Sequence, residues 1–152
     1  MTIERRLVDL GLELPTPPDP IASYVSFRMS GGIAYLSGHG PLLPDGSWIV
    51  GKVGRDLGIE EAHDAARVTG LAVLSTLRHE LGSLDRVVGL VKVLGMVNCT
   101  PDFVEQSRVM NGFSDLMIEV YGDAGRHARS AVGVASLPMG IPVEVEAIIE
   151  VE

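Results

Sequence analysis

What this chain has least of narrows its chemistry before any motif is considered. It holds a single cysteine, Cys99, so no internal disulfide can form, and no Cys/His pair shows zinc-ligand spacing. A lone cysteine fits a reducing compartment, and Cys99 reads as a buried strand-end residue. His63, His79 and His127 form neither an H-x-H nor an H-E-x-x-H pattern, so no metal cluster is expected. Basic residues are scarce: 12 Lys and Arg stand against 20 Asp and Glu, for a net charge of −8 and a pI near 4.9. No basic stripe relieves that balance locally, which excludes a phosphate backbone, and hence nucleic acid, as a natural partner. No run approaches the roughly 18 uninterrupted apolar residues of a membrane span. No apolar stretch precedes the proline-rich segment from Pro15 to Pro20, so neither a signal nor a transit peptide is expected, and the cytosol is the expected location.

What is present is enough for one domain over residues 1–152, with residues 1–20 as a proline-rich extension, since 46% of the residues are hydrophobic. Tyr24 to Met29 alternates as a strand, Gly31-Gly32 is a two-residue hairpin signal, and Ile33 to Ser37 returns antiparallel. Gly38 to Gly46 reads as loop, and Trp48 to Val50 as a further short strand. From Ile59 to Leu81, Ala62, Ala66, Thr69, Val73, Leu77 and Leu81 recur at helical spacing, with Gly82 as the stop. Glu60, Glu61 and Asp64 oppose the dipole at its start. Arg86 to Asn98, β-branched and nearly continuously apolar, predicts a central strand covered on both faces. Thr100-Pro101 supplies a cap and first residue for a second helix, which Gly122 ends. The order predicts an α+β domain with a mixed β-sheet and two helices packed on one face. The other face then exposes apolar positions that call for association with further copies.

The last quarter carries the functional signal. Arg129 opens a strand-like run to Leu137, and Val143 to Val151 alternates, with Glu144, Glu146 and Glu150 on one face. If these two runs form a hairpin, opposed residues have numbers summing to an odd value, which places Arg129 among the glutamates. A turn centred on Leu137-Pro138 sets Arg129 opposite Glu146 and Ala131 opposite Glu144; other odd sums change the exact neighbour. Ala131, Gly133 and Ala135 then leave a small-residue floor beside the charges. On the residues alone, Arg129 and Glu144 read first as a structural ion pair at a subunit contact, because such pairs are common there.

Four pieces together resemble one family: Ser23-Tyr24-Val25, Leu36-Ser37-Gly38-His39-Gly40-Pro41, Ala128-Arg129-Ser130-Ala131-Val132 with Leu137-Pro138, and Val143-Glu144-Val145-Glu146-Ala147. The sequence is similar to the YjgF/Rid family of imine and enamine deaminases, also labelled endoribonuclease L-PSP, and it resembles a divergent branch of it. The resemblance implies a chorismate-mutase-like fold, homotrimers with substrate clefts between subunits, and no cofactor. It implies hydrolysis of reactive 2-imino or 2-enamino acids to 2-keto acids and ammonia. Arg129 matches the arginine that holds the substrate carboxylate, and Glu144 the acid that activates water, with Glu146 as the competing choice. Tyr24, Ser37, Gly38 and Ala131 match cleft-lining, substrate-binding positions. His39 stands where many relatives have Gln, and Ala131 where deaminases often have Cys. A helix position that usually holds an interface Asn falls on Ser107, with Asn111 one turn away.

Two functions from different classes share this arginine: an imine deaminase, and a non-catalytic module that binds small carboxylates. Endoribonuclease activity is the least favoured third, given the acidic balance. Ser37-Gly38-His39 is no nucleophile elbow, and the glycines around His39 are too few for a phosphate loop.

Overall fold

The computed structural model describes residues Met1–Glu152. Its elements are α1 (Ile3–Asp9), β1 (Phe27–Ser30), β2 (Ile33–His39), α2 (Ile59–Leu81), β3 (Val87–Asn98), α3 (Gln106–Tyr121), β4 (Ala128–Val134) and β5 (Val143–Val151). The five strands form one mixed sheet in the order β1-β2-β5-β3-β4, in which only β3 and β4 run parallel. The α+β expectation therefore holds. α2 and α3 pack on one face, and α3 is the crossover that a parallel β3–β4 pair needs.

The hairpin forms as the glycines direct, with Ser30 opposite Ile33, although the strand begins at Phe27 and leaves Tyr24 outside it. All six residues of the predicted α2 stripe are buried, and Gly82 caps the helix in the left-handed region at φ 76°. The two helices approach closely because glycines meet there. A β-carbon on Gly112 would strike the His63 carbonyl, and one on Gly70 would lie 2.6 Å from Leu116 Cδ2. Phe113, fully buried in the same layer, anchors it; truncating such a side chain to alanine typically costs about 3–5 kcal/mol.

Several expectations are corrected. Residues 1–20 are not simply an extension. Thr2 caps α1 by accepting from the Arg5 N–H, Leu7 enters the core, and Arg6 Nε donates to the Glu119 carbonyl at 2.6 Å. Thr100-Pro101 is a turn, with the Phe103 N–H on the Thr100 carbonyl, and α3 starts later, at Gln106. Trp48 makes one isolated bridge, to Leu42, instead of a strand.

The fourth correction matters most. β4 and β5 do not form a hairpin: β5 inserts between β2 and β3, and β4 pairs only with β3, at the edge. The burial pattern gives the reason. Val143, Val145, Ala147, Ile149 and Val151 are all buried, so β5 gains most where strands flank it on both sides and helices cover one face. β4 carries small and half-exposed residues and loses little at an edge. β3 pairs on both sides as a central strand should, but the expected cover on both faces is corrected too, since the helices cover one face only. Within the chain its other face leaves Leu94 and Met96 half-exposed, beside Tyr35, Ile148 and Val132.

Candidate functional site

Arg129 stands opposite Val93, which in turn stands opposite Ala147, so the arginine lies on the helix-bearing face. Glu144 and Glu146 stand opposite Met96 and Leu94 and lie on the other face. The predicted cross-strand meeting of Arg129 with these glutamates does not occur within one chain. The parity rule was sound for a hairpin, but a strand intervenes. Ala131 stays on the face of Arg129 and packs against the core. Gly133 makes no floor beside the glutamates either, because a β-carbon there would lie 2.9 Å from Cys99 Sγ and 3.0 Å from Gln106 Nε2.

Arg129 is held by α3 through neutral groups. One terminal nitrogen donates to Asn111 Oδ1 at 3.1 Å and Ser114 Oγ at 3.0 Å, and the other to the Ser107 carbonyl at 3.3 Å. No carboxylate lies within ion-pair distance of it. At most three of its five N–H groups are used, which leaves two for an anion. Partial burial pulls its pKa down, Asp115 opposes this, and the guanidinium stays charged. Ser114 is also bonded to His127. His127 Nδ1 faces the Gly125 carbonyl at 2.7 Å and must carry the proton, so Nε2 accepts from the Ser114 hydroxyl at 2.8 Å. Burial, with Arg129 nearby, holds the His127 pKa below its usual value and keeps the ring neutral. The sequence reading missed Ser114 and His127. The signal was available in Ser107, Asn111 and Ser114, at i, i+4 and i+7 on one helix stripe, and in His127, two residues before Arg129 on the same strand face.

The second group surrounds Glu144. Between Leu36 opposite Ala147 and His39 opposite Val145, β2 holds one extra residue, so Ser37 and Gly38 bulge out across from Glu146. Gly38 cannot be replaced here without movement. A β-carbon would collide with the Glu144 carboxylate, which lies across the glycine. Ser37 Oγ donates to the Val25 carbonyl at 2.6 Å, leaving its lone pairs free, and the Tyr24 side chain is half-exposed nearby. His39 is buried, with Nδ1 on the Ser37 carbonyl at 2.7 Å and Nε2 accepting from Thr76 Oγ at 2.9 Å. Burial lowers its pKa, so it too is neutral, and it braces the bulge. Burial first, and the charge of Glu146 second, raise the pKa of Glu144 above the usual carboxylate value. Tyr24, Ser37, Gly38, His39, Glu144 and Glu146 share one cavity of about 500 Å³. Arg129 lines a separate hollow with Asn111, Ser114 and His127.

The sequence and the fold are similar to those of known proteins. The family model described as YjgF/chorismate-mutase-like, with an endoribonuclease label, matches residues 4–148. Protein TCP17 of Trypanosoma cruzi is 44% identical over 149 residues, 97% of this chain and 93% of its own. The crystal structure of Atu1372 from Agrobacterium tumefaciens, of unknown function, superposes with a TM-score of 0.91 at 41% identity, covering 99% of this chain and 94% of that one. A Shewanella oneidensis structure with an endoribonuclease label superposes at 0.95 and 30% identity, covering 99% and 100%.

Proposed function

Because the chain belongs to the YjgF/chorismate-mutase-like family, we propose that it hydrolyses reactive 2-imino or 2-enamino acids to 2-keto acids and ammonia, in sites shared between copies of a homotrimer. The observation that carries this reading is an arginine fixed by neutral partners and free of any carboxylate. Such a guanidinium has donors left for a small anionic acid, and its orientation is set before the ligand arrives.

The complementary group sits elsewhere. Glu144, on the opposite face, has a raised pKa and therefore a basicity better matched to accepting a proton near neutral pH. One chain does not bring the two groups into one cavity, so in the proposed ring the Arg129 of one copy completes the Glu144 cavity of the next. The half-exposed Tyr35, Leu94, Met96, Val132 and Ile148 give the sheet an apolar face to bury in such a ring.

In the reaction, Arg129 grips the carboxylate and holds the iminium carbon against a water. Glu144 takes a proton from that water as its oxygen bonds to the carbon, giving a tetrahedral carbinolamine. Glu144 passes that proton to the amino nitrogen and then takes the hydroxyl proton as the carbon–nitrogen bond breaks, so that the carbonyl of the keto acid forms and ammonia leaves. No cofactor enters this scheme, because the protonated imine is itself the electrophile. A general base contributes about 10²–10⁴-fold in rate. Tyr24, Ser37, Gly38 and Ala131 are the proposed lining, with Ala131 acting from the side of Arg129.

The test generates imino acid in situ with an amino-acid oxidase and follows its capture by semicarbazide. The protein should divert imine from the trap. Arg129→Ala, which removes two charge-assisted hydrogen bonds of about 1.5–3 kcal/mol each, should lower kcat/KM by about 10²-fold or more. Saturable binding of small keto acids without any diversion would replace the enzyme with a carboxylate-binding module. The net charge of −8 argues against the endoribonuclease reading.

A further inference from the structure

The cavity beside Glu144 is larger than the proposed chemistry requires. Its polar end, at Ser37, Gly38 and the two glutamates, is enough to surround a reacting carbon and its amine. The remainder of the roughly 500 Å³ is walled by Ile21, Tyr24, Trp48, Met139 and Ile141. A volume of this order suits ligands well above the smallest imino acids in size.

The wall is built at some cost to the chain. Met139 adopts φ 59° and ψ 9°, and no other residue except glycine has a positive φ. A glycine would sit there without strain, yet the position carries a long apolar side chain, half-exposed at the cavity. Trp48, the sole tryptophan, lies over Gly40. A β-carbon on Gly40 would come within 2.8 Å of Ile141 Cδ1 and 3.2 Å of Trp48 Cζ3, so the bare backbone lets both apolar groups settle against the loop. Ile21 and Tyr24 follow the proline-rich segment, whose fixed φ angles limit its freedom. Its Pro15 carbonyl accepts from the Ser75 hydroxyl at 2.5 Å. Ile21 remains largely exposed and Tyr24 half-exposed, as surfaces awaiting a ligand would be. Asp19 and Glu146 in the same lining oppose any second negative charge on that ligand.

We infer that this wall is a side-chain subsite, and that the protein prefers imino acids with large apolar or aromatic side chains over small or acidic ones, with Trp48 and Met139 as the residues that discriminate. The inference rests on the deaminase reading for the identity of the reacting end, but not for the size and polarity of the occupant.

The experiment uses the full chain and imines generated in situ from alanine, leucine, phenylalanine and aspartate. The phenylalanine and leucine imines should exceed the alanine imine in kcat/KM by at least about tenfold, and the aspartate imine should be the poorest. Met139→Gly relieves the strained backbone and so preserves the fold. It should reduce the phenylalanine-to-alanine ratio about fivefold or more, and Trp48→Ala should do the same. Equal or better use of the alanine imine, or a ratio unmoved by Met139→Gly, overturns the inference. If no imine is turned over, the deaminase reading falls separately, and calorimetry with phenylpyruvate and pyruvate decides the subsite. Tighter binding of phenylpyruvate that Met139→Gly abolishes upholds it, and equal binding of the two acids overturns it.

Discussion

The hollow at Arg129 and the cavity at Glu144 are built by the same device and put it to opposite uses. Each rests on a histidine kept neutral by burial, with Nδ1 on the carbonyl two residues before it and Nε2 accepting from a hydroxyl on a helix. At Arg129 the chain ends in Ser114, whose oxygen receives the guanidinium, so the histidine props up a cation. At Glu144 the histidine secures a backbone bulge, and the carboxylate itself has no donor, only desolvation and a like charge beside it. The first group is organised to stay charged and still. The second is placed so that it holds a proton more readily than an ordinary carboxylate does. That contrast is what an anion clamp and a general base respectively demand.

The strongest way to break the comparison is to separate the two halves genetically. Arg129→Ala and Glu144→Gln should each be nearly inactive, but refolding them together in equal amounts should restore about a quarter of the sites if each draws its two groups from different copies. No recovery in a mixed oligomer would place both groups within one protomer's site. Gly38→Ala comes next, since its methyl group would displace the Glu144 carboxylate. We expect a loss of at least about tenfold in kcat/KM with about 1–3 kcal/mol of destabilisation, read by rate assays and a urea titration. Ser114→Ala should act on the other half alone. It removes one support from Arg129, raises KM several-fold more than it lowers kcat, and costs about 1 kcal/mol of stability.

The pH dependence gives the smallest effects and the sharpest contrast. Both histidines have folded pKa values below 6.5, so the unfolded chain binds more protons as pH falls through that value. Stability should therefore be flat above about pH 7 and decline on acidification below about 6.5. A melting series should show this slope, and His39→Gln should make it shallower. Glu144 has the opposite sign. Its raised pKa makes the folded state the better proton binder between 4.5 and its folded value, so it contributes stability there that is lost as pH rises. As a base it must be ionised, and the acid limb of kcat/KM should lie above 4.5 and vanish in Glu144→Gln.

Much of this was legible in the sequence where local pattern decides the outcome. The α2 stripe ending at Gly82 and the hairpin at Gly31-Gly32 are set by periodicity and turn chemistry, and both formed as read. The partner of β5 was not legible, because it depends on a competition between strands: the one with five buried residues took the interior, and sequence adjacency to β4 lost. α1 escaped notice because it spans only seven residues, and its one buried residue, Leu7, gives no period to detect. Within the candidate site, Tyr24, Ser37, Gly38 and Glu144 converge as neighbours of one cavity. The support of Arg129 by Ser114 and His127 is a tertiary arrangement of groups that separately look like ordinary surface residues.

The strand order also governs how the molecule is made. β5 follows the other four strands in sequence and occupies the middle of the sheet, so β2 and β3 each present an open edge until Val143–Val151 has been synthesised. A nascent chain halted before that point carries two unpaired hydrogen-bonding edges and lacks the five core residues of β5, a state prone to misassociation. Removing those nine residues would not trim the sheet but cut it in two.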